Sequence, residues 1–331
     1  MLTVLIVILH ANMVQLCIGP VRFYQQMMTA EVTRIAVPLF FMISGFLFFI
    51  NYRGSVSDYK RKLLSRTRSL LIPYFSFLLL GSIIVFLKEG SHSFGKLLEI
   101  IKGGIIGSPP IFYPLWFLRD LYVMALLSPL VYWIVKKIPV SLVVLIVIWA
   151  LGKNPFIFPM TEAMLFFSLG CFLTTQTKIL EPVNHKYTWW YFFLWLLLCF
   201  LNTYGKNVLP LPYVTHCVVL LFGIYSVWIL YDRLYPHFNE KIKNADIYKY
   251  SFFIYLIHEP ILTILKKIGL YLLGQSSWSI GVIYILAPIL TIFIAYAIGR
   301  GMNKYIPKIF SLITGGRTKR DLNTISVIAK S

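Results

Sequence analysis

Apolar runs of about twenty residues return along this chain at near-regular intervals, and few folds can accommodate them. A helix of that length crosses the roughly 30 Å hydrocarbon core of a bilayer. Only helices and closed barrels satisfy every backbone polar group there. The runs fall at approximately 1–18, 35–52, 69–88, 112–134, 138–152, 160–176, 188–203, 211–231, 251–271 and 279–300, with 138–152 the shortest. The expected fold is therefore all-α, a polytopic membrane helical bundle of about ten transmembrane helices. Charged residues make up 13% of the 331 residues, about half the share of a soluble domain. That excludes a water-soluble globular protein.

The formal net charge of +19, from 31 Lys and Arg against 12 Asp and Glu, raises the question of nucleic acid. Its distribution answers otherwise. With the N-terminus inside, 21 of the 31 basic residues fall in cytoplasmic segments, the bias expected of a membrane protein. Both termini are then cytoplasmic and the number of spans is even. Residues 1–315 read as one membrane domain, and 316–331 as a loose basic cytoplasmic tail. Four cysteines sit in apolar stretches without metal-type spacing, so neither zinc nor a disulfide framework is indicated. No internal repeat of the transporter kind is visible. The apolar run begins at Leu2 with no basic residue before it, which suggests a truncated or mis-started version of a longer protein.

Ionisable residues inside such runs are costly and usually functional. His10 lies in LTVLIVILHANMVQL, and His258 and Glu259 lie in SFFIYLIHEPIL. At 1.5 Å per residue His10 stands roughly 12 Å above the start of its span and His258 roughly 10 Å. Both spans start inside, so the two rings reach similar depth and a shared cavity is open to them. An imidazole there accepts and returns a proton near neutral pH; a packing histidine hydrogen-bonded between helices fits the same pattern. Glu259 could orient a histidine on another helix or face an aqueous vestibule. Neighbours on a helix point about 100° apart, so it does not serve His258 itself.

The run KRKLLSRTRSLLIPY places Arg61, Lys62, Arg66 and Arg68 at the cytoplasmic mouth of the third span. Guanidinium groups suit a ligand with several phosphates, while anionic lipid and the inside-positive bias produce the same cluster. Arg34 opens the second span on the outer side, where it can pair with Glu31 or neutralise substrate charge. Ser44-Gly45 in that span permits close helix contact. Trp116, Arg119 and Asp120 lie just inside the outer interface, as a belt residue and an ion pair or as an acceptor site. His216 has no partner nearby in sequence, and His92, His185 and His237 fall in loops.

In VILHA, RIAVPLFFMISGFLFF, the basic run ending LLIPY, PLWFLRDLYV, FFSLGCFL and SFFIYLIHEPIL, the chain resembles the acyltransferase type 3 family. The branch is the one of intercellular-adhesin-type proteins and surface-polysaccharide O-acetyltransferases. The likeness covers nearly the whole chain and rests on the order and spacing of these motifs. It implies a bacterial cytoplasmic-membrane enzyme that moves an acyl group, commonly acetyl, from cytoplasmic acyl-CoA to a hydroxyl. The acceptor would be a cell-surface polysaccharide or lipid-linked glycan.

The same likeness implies His10 as catalytic base, with Arg34 as the accompanying arginine. On the reading of the residues themselves, His258 and Glu259 join them as catalytic candidates, Arg61, Lys62, Arg66 and Arg68 would hold the acyl-CoA, and Trp116, Arg119 and Asp120 could line the acceptor site. Acyl-CoA (acetyl-CoA above all) enters as donor substrate, with no tightly bound cofactor, no metal and no nucleic acid. The lipid bilayer and other surface-polysaccharide assembly proteins would be partners. Two features depart from the family. Its basic residue eleven positions before the histidine would precede Met1, and its R-x-x-R pair is here Arg66-Thr67-Arg68. The alternative reading is an exporter of polysaccharide or lipid-linked sugar, since intramembrane histidines also suit proton relays.

Overall fold

A computed structural model describes residues 2–89, 93–107, 111–155, 159–176, 187–209, 211–244 and 246–316. The expected tail, together with His92 and His185, lies outside the described residues. Among the described residues every regular element is helical and there is no strand. Each of the ten apolar runs contains a helix, but the first two helices begin and end elsewhere than hydropathy suggests.

The first helix, α1, is Leu2–His10, and it stops at the histidine. A short 3-10 turn over Val14–Leu16 follows, and the next helix, α2, runs Gly19–Phe49 over 31 residues. The sequence expectation of a second span opening at 35 is corrected by sixteen residues. Gly19 takes a φ of +61° and Pro20 follows it within the first turn, a pairing that lets the chain reverse and starts a helix without a lost hydrogen bond. Hydropathy missed the stretch because it is polar. Gln25, Thr29, Glu31 and Thr33 are nonetheless buried, facing protein rather than lipid.

The remaining helices are α3 (Val56–Lys88), α4 (Phe94–Ile106), α5 (Trp116–Leu126), α6 (Ser128–Lys137), α7 (Ser141–Ala150), α8 (Thr161–Leu173), α9 (Thr188–Val208), α10 (Tyr213–Asn244), α11 (Ser251–Leu273), α12 (Ser277–Tyr305) and α13 (Pro307–Ile313). Among the described residues four helices are long and apolar enough to cross a membrane, α2, α3, α10 and α12, with a fifth span if the pair Tyr113–Leu126 and Ser128–Lys137, bent by 63°, is counted as one. Pro129 sits in the first turn after that bend, where a missing N–H costs nothing. The protein is a membrane protein of helical class.

Close packing in this bundle depends on small residues, because lipid tails are as apolar as leucine and give helices little reason to associate. A Cβ built on Gly45 of α2 would lie 2.2 Å from the Phe167 carbonyl oxygen of α8, and one on Gly170 would lie 2.2 Å from that of Met42. The two backbones therefore touch, as the Ser44-Gly45 pair anticipated. This contact fixes the long helix carrying Arg34 against the one carrying Glu162. α1 packs on α2, α11 and α12, which brings its last residue into the middle of the bundle.

Candidate active site

Three chain segments meet at the end of α1. The backbone carbonyl of His10 accepts a hydrogen bond from Lys266 Nζ of α11 at 3.0 Å, so the helix end is held by a residue of another helix. The His10 ring makes a hydrogen bond through Nδ1 to the hydroxyl of Tyr113. Its face lies 5.2 Å, centroid to centroid, from the ring of His258. Tyr113 belongs to a 3-10 turn, Tyr113–Leu115, ahead of α5. That turn is tied to α11 because the Tyr255 hydroxyl donates to the Pro114 carbonyl at 2.6 Å.

α11 supplies several groups at helical spacing: Tyr255, Glu259, Thr263 and Lys266 recur at three- and four-residue intervals along one face, and His258 lies beside that face. His258 Nδ1 is 2.6 Å from the Tyr255 carbonyl. A carbonyl only accepts, so Nδ1 carries the proton. His258 Nε2 is buried without a hydrogen-bond partner among the described residues. His258 is fully buried and backs His10, outside the cavity lining. Glu259 accepts from Thr263 Oγ1 at 3.2 Å through one oxygen; its other oxygen has no protein partner.

The cavity so formed has a volume of about 410 Å³ and is lined by Leu9, His10, Asn12, Arg34, Val37, Tyr113, Trp116, Glu259 and Lys266. That falls within the ordinary range for small-molecule sites. Arg34 is the midpoint of α2, roughly 22 Å from either end at 1.5 Å per residue. The cavity thus lies alongside the middle of that helix, and Arg34 stands within the helix rather than at its start.

Arg34 does not pair with Glu31. Its guanidinium is 3.9 Å from Glu162 of α8. Glu31 instead accepts from Asn202 at 2.9 Å and Lys206 at 2.7 Å, and meets His216 Nδ1 at 2.8 Å. A π-turn over Met28–Val32 and a 3-10 turn over Thr33–Ile35 interrupt the regular α-helical spacing between the two residues, and each charge has a partner on another helix. Such turns recur at functional sites. His216, without a partner nearby in sequence, finds one 185 positions away.

Of the expected acceptor residues, Trp116 lines the cavity, whereas Arg119 and Asp120 are buried elsewhere. Arg119 donates to Asp120 at 3.0 Å and to the carbonyls of Ile105, Ile106 and Gly107. It thereby satisfies the C-terminal end of α4, whose carbonyls lack intrahelical donors. Asp120 accepts the Met160 N–H at 3.0 Å, just before α8. The pair fastens two helix ends.

The basic run stands apart from the cavity. Arg61 pairs with Asp58 at 2.6 Å and is 73% exposed. Lys62 donates to the Ile50 carbonyl at 2.9 Å and, with Arg66, lies over the Phe48 ring. Arg68 is exposed. Counting from Arg34 to Ile50 along α2, the Lys62 contact is roughly 24 Å from Arg34.

Tyr113 and Lys266 escaped the sequence reading. Tyr113 was hidden in an aromatic segment that reads as interfacial. Lys266 carried the same signal as His10, an ionisable group inside an apolar run. Among the described residues no group of three or more His, Cys, Asp and Glu is placed to hold a metal ion.

Residues 1–300 match a family model described as an acyltransferase domain, acyltransferase type 3. The chain is similar to the succinoglycan biosynthesis protein ExoH of Rhizobium meliloti (strain 1021), with 25% identity over 302 residues, covering 86% of this chain and 80% of the relative. No solved structure matches it significantly.

Proposed function

The chain belongs to the acyltransferase type 3 family, and from that premise we propose that it transfers an acyl group, acetyl first among candidates, from acyl-CoA to a hydroxyl of a bacterial cell-surface polysaccharide or lipid-linked glycan. Family membership makes it an acyltransferase of groups other than aminoacyl, which sets the exporter reading aside. The similarity to a succinoglycan biosynthesis protein supports a polysaccharide acceptor. The inner membrane is the matching location.

The observation that carries the mechanism is the His10–Tyr113 hydrogen bond on the wall of the cavity. An imidazole whose Nδ1–H donates to a fixed oxygen presents Nε2 as a base. The reverse tautomer, with Tyr113 donating, would leave Nε2 a donor and useless for taking a proton. In the active form His10 Nε2 removes the proton of the acceptor hydroxyl as the oxygen attacks the acyl carbonyl, then returns it to the departing thiolate. Positioned general-base catalysis of this kind contributes about 10²–10⁴-fold. Arg34, Glu259 and Trp116 border the same space, and Arg61 and Arg68 are the accessible cations for the CoA phosphates. The Ile50 end of α2, where Lys62 of the same run is anchored, lies roughly 24 Å from Arg34, so a donor reaching from one to the other would be extended through the bundle.

Membranes containing the protein, supplied with acetyl-CoA labelled in the acetyl group, test the reading. Label on the glycan fraction is expected. Glycan that stays unlabelled with acetyl-CoA and with longer acyl-CoAs would remove the donor assignment.

A further inference from the structure

Lys266 is the feature that the reading above leaves unused. It projects from the second half of α11 into the cavity, half-buried, in the largely apolar stretch ILTILKKIGLYLL, where its neighbour Lys267 is exposed. A charge in such a place is costly and is kept for a reason. Its ammonium has three N–H bonds. One goes to the His10 carbonyl at 3.0 Å, and no carboxylate lies within ion-pair distance of it among the described residues. Arg34, the other cation of the lining, has Glu162 at 3.9 Å to absorb its charge. Lys266 therefore offers two further N–H bonds and a positive charge that no direct ion pair takes up among the described residues, with the Glu259 carboxylate elsewhere on the same cavity wall.

Acyl transfer creates a negative charge at this spot. We propose that Lys266 is a catalytic residue that stabilises the oxyanion of the tetrahedral intermediate, an inference that rests on the acyl-transfer reading. The acceptor oxygen forms a bond to the acyl carbon, its proton goes to His10 Nε2, and the carbonyl π pair moves onto the carbonyl oxygen. Lys266 donates to that oxygen. When the C–O π bond re-forms, the carbon–sulfur bond breaks, its pair leaves on sulfur, and the proton held by His10 goes to the thiolate. Because the same ammonium holds the His10 backbone, base and oxyanion donor keep a fixed separation through the step. The position costs little reorganisation, and preorganisation is what makes such donors effective.

Two variants separate this role from simple anchoring of α1. Lys266→Gln keeps a side-chain N–H for the His10 carbonyl and loses the charge; Lys266→Arg keeps both. In membranes assayed with labelled acetyl-CoA, Lys266→Gln should lower kcat by about 10²-fold or more, the scale for removing one oxyanion donor, with the KM for acetyl-CoA unchanged. Lys266→Arg should recover a measurable part of the rate. The affinity of a non-hydrolysable thioether analogue of acetyl-CoA should be equal in all three proteins. Near-normal kcat in Lys266→Gln, or a loss expressed only in KM, overturns the proposal, and so does a Lys266→Arg protein as inactive as Lys266→Gln yet binding the analogue normally. With His10→Ala run alongside, the failures are distinguishable. Activity retained by Lys266→Gln and lost by His10→Ala sinks the lysine role alone, whereas activity retained by His10→Ala sinks the base assignment beneath it.

Discussion

At the residue scale, the chemistry of this protein turns on how one imidazole is held. His10 is gripped three ways: its carbonyl by Lys266, its Nδ1 by Tyr113 and its ring face by His258. Tyr113→Phe keeps the ring and removes the hydroxyl. One hydrogen bond is worth about 1 kcal/mol, so kcat should fall by about fivefold while the KM for acyl-CoA stays put. An unchanged kcat would mean that the hydroxyl does not select the tautomer. The sequence disclosed His10, His258 and Glu259 because charge in an apolar run is conspicuous. It could not disclose Tyr113, whose importance is a contact 103 positions away. Nor could it show that Arg34 turns to Glu162, a residue of another helix far along the chain.

At the scale of elements, the contact of α2 with α8 decides whether the cavity has walls. Gly45 and Gly170 each face a backbone carbonyl at a distance no Cβ tolerates. Gly170→Ala must push the helices apart, and overpacking of this kind costs about 1–3 kcal/mol. Thermal unfolding in detergent should show a lower midpoint for Gly170→Ala, and for Gly45→Ala, than for an alanine at the exposed Ile43 position. Equal midpoints would contradict the close approach. This contact was half legible. Ser44-Gly45 marked one surface as small, but the partner glycine becomes evident only when the two helices are set side by side. The start of α2 was not legible, because its polar residues are buried against protein and hydropathy reads polarity as exposure.

At the scale of the whole molecule, charge is distributed between two levels. Around the far end of α2 stand Lys62 and Arg66 of the basic run, with Arg61 and Arg68 of the same run exposed. The mid-helix cavity has Arg34 and Lys266 balanced by Glu162 and Glu259. On the proposed reading the first level serves the phosphates of the donor and the second the reacting atoms. Arg61→Glu combined with Arg68→Glu should raise the KM for acyl-CoA by about tenfold or more, since charge-assisted bonds are worth about 1.5–3 kcal/mol each. The kcat at saturation should be retained, and the wild-type KM should itself rise with salt, as screening of exposed charges requires. A loss of kcat with KM untouched would contradict the division of labour.

Acyl transfer by His10→Ala is the most direct test of the account. With labelled acetyl-CoA, membranes carrying the wild-type protein should place label on the glycan, and membranes carrying equal, correctly inserted His10→Ala should place at most about a hundredth as much, the lower bound for loss of a positioned base. Labelling by His10→Ala at the wild-type rate would contradict the claim that this ring takes the acceptor's proton.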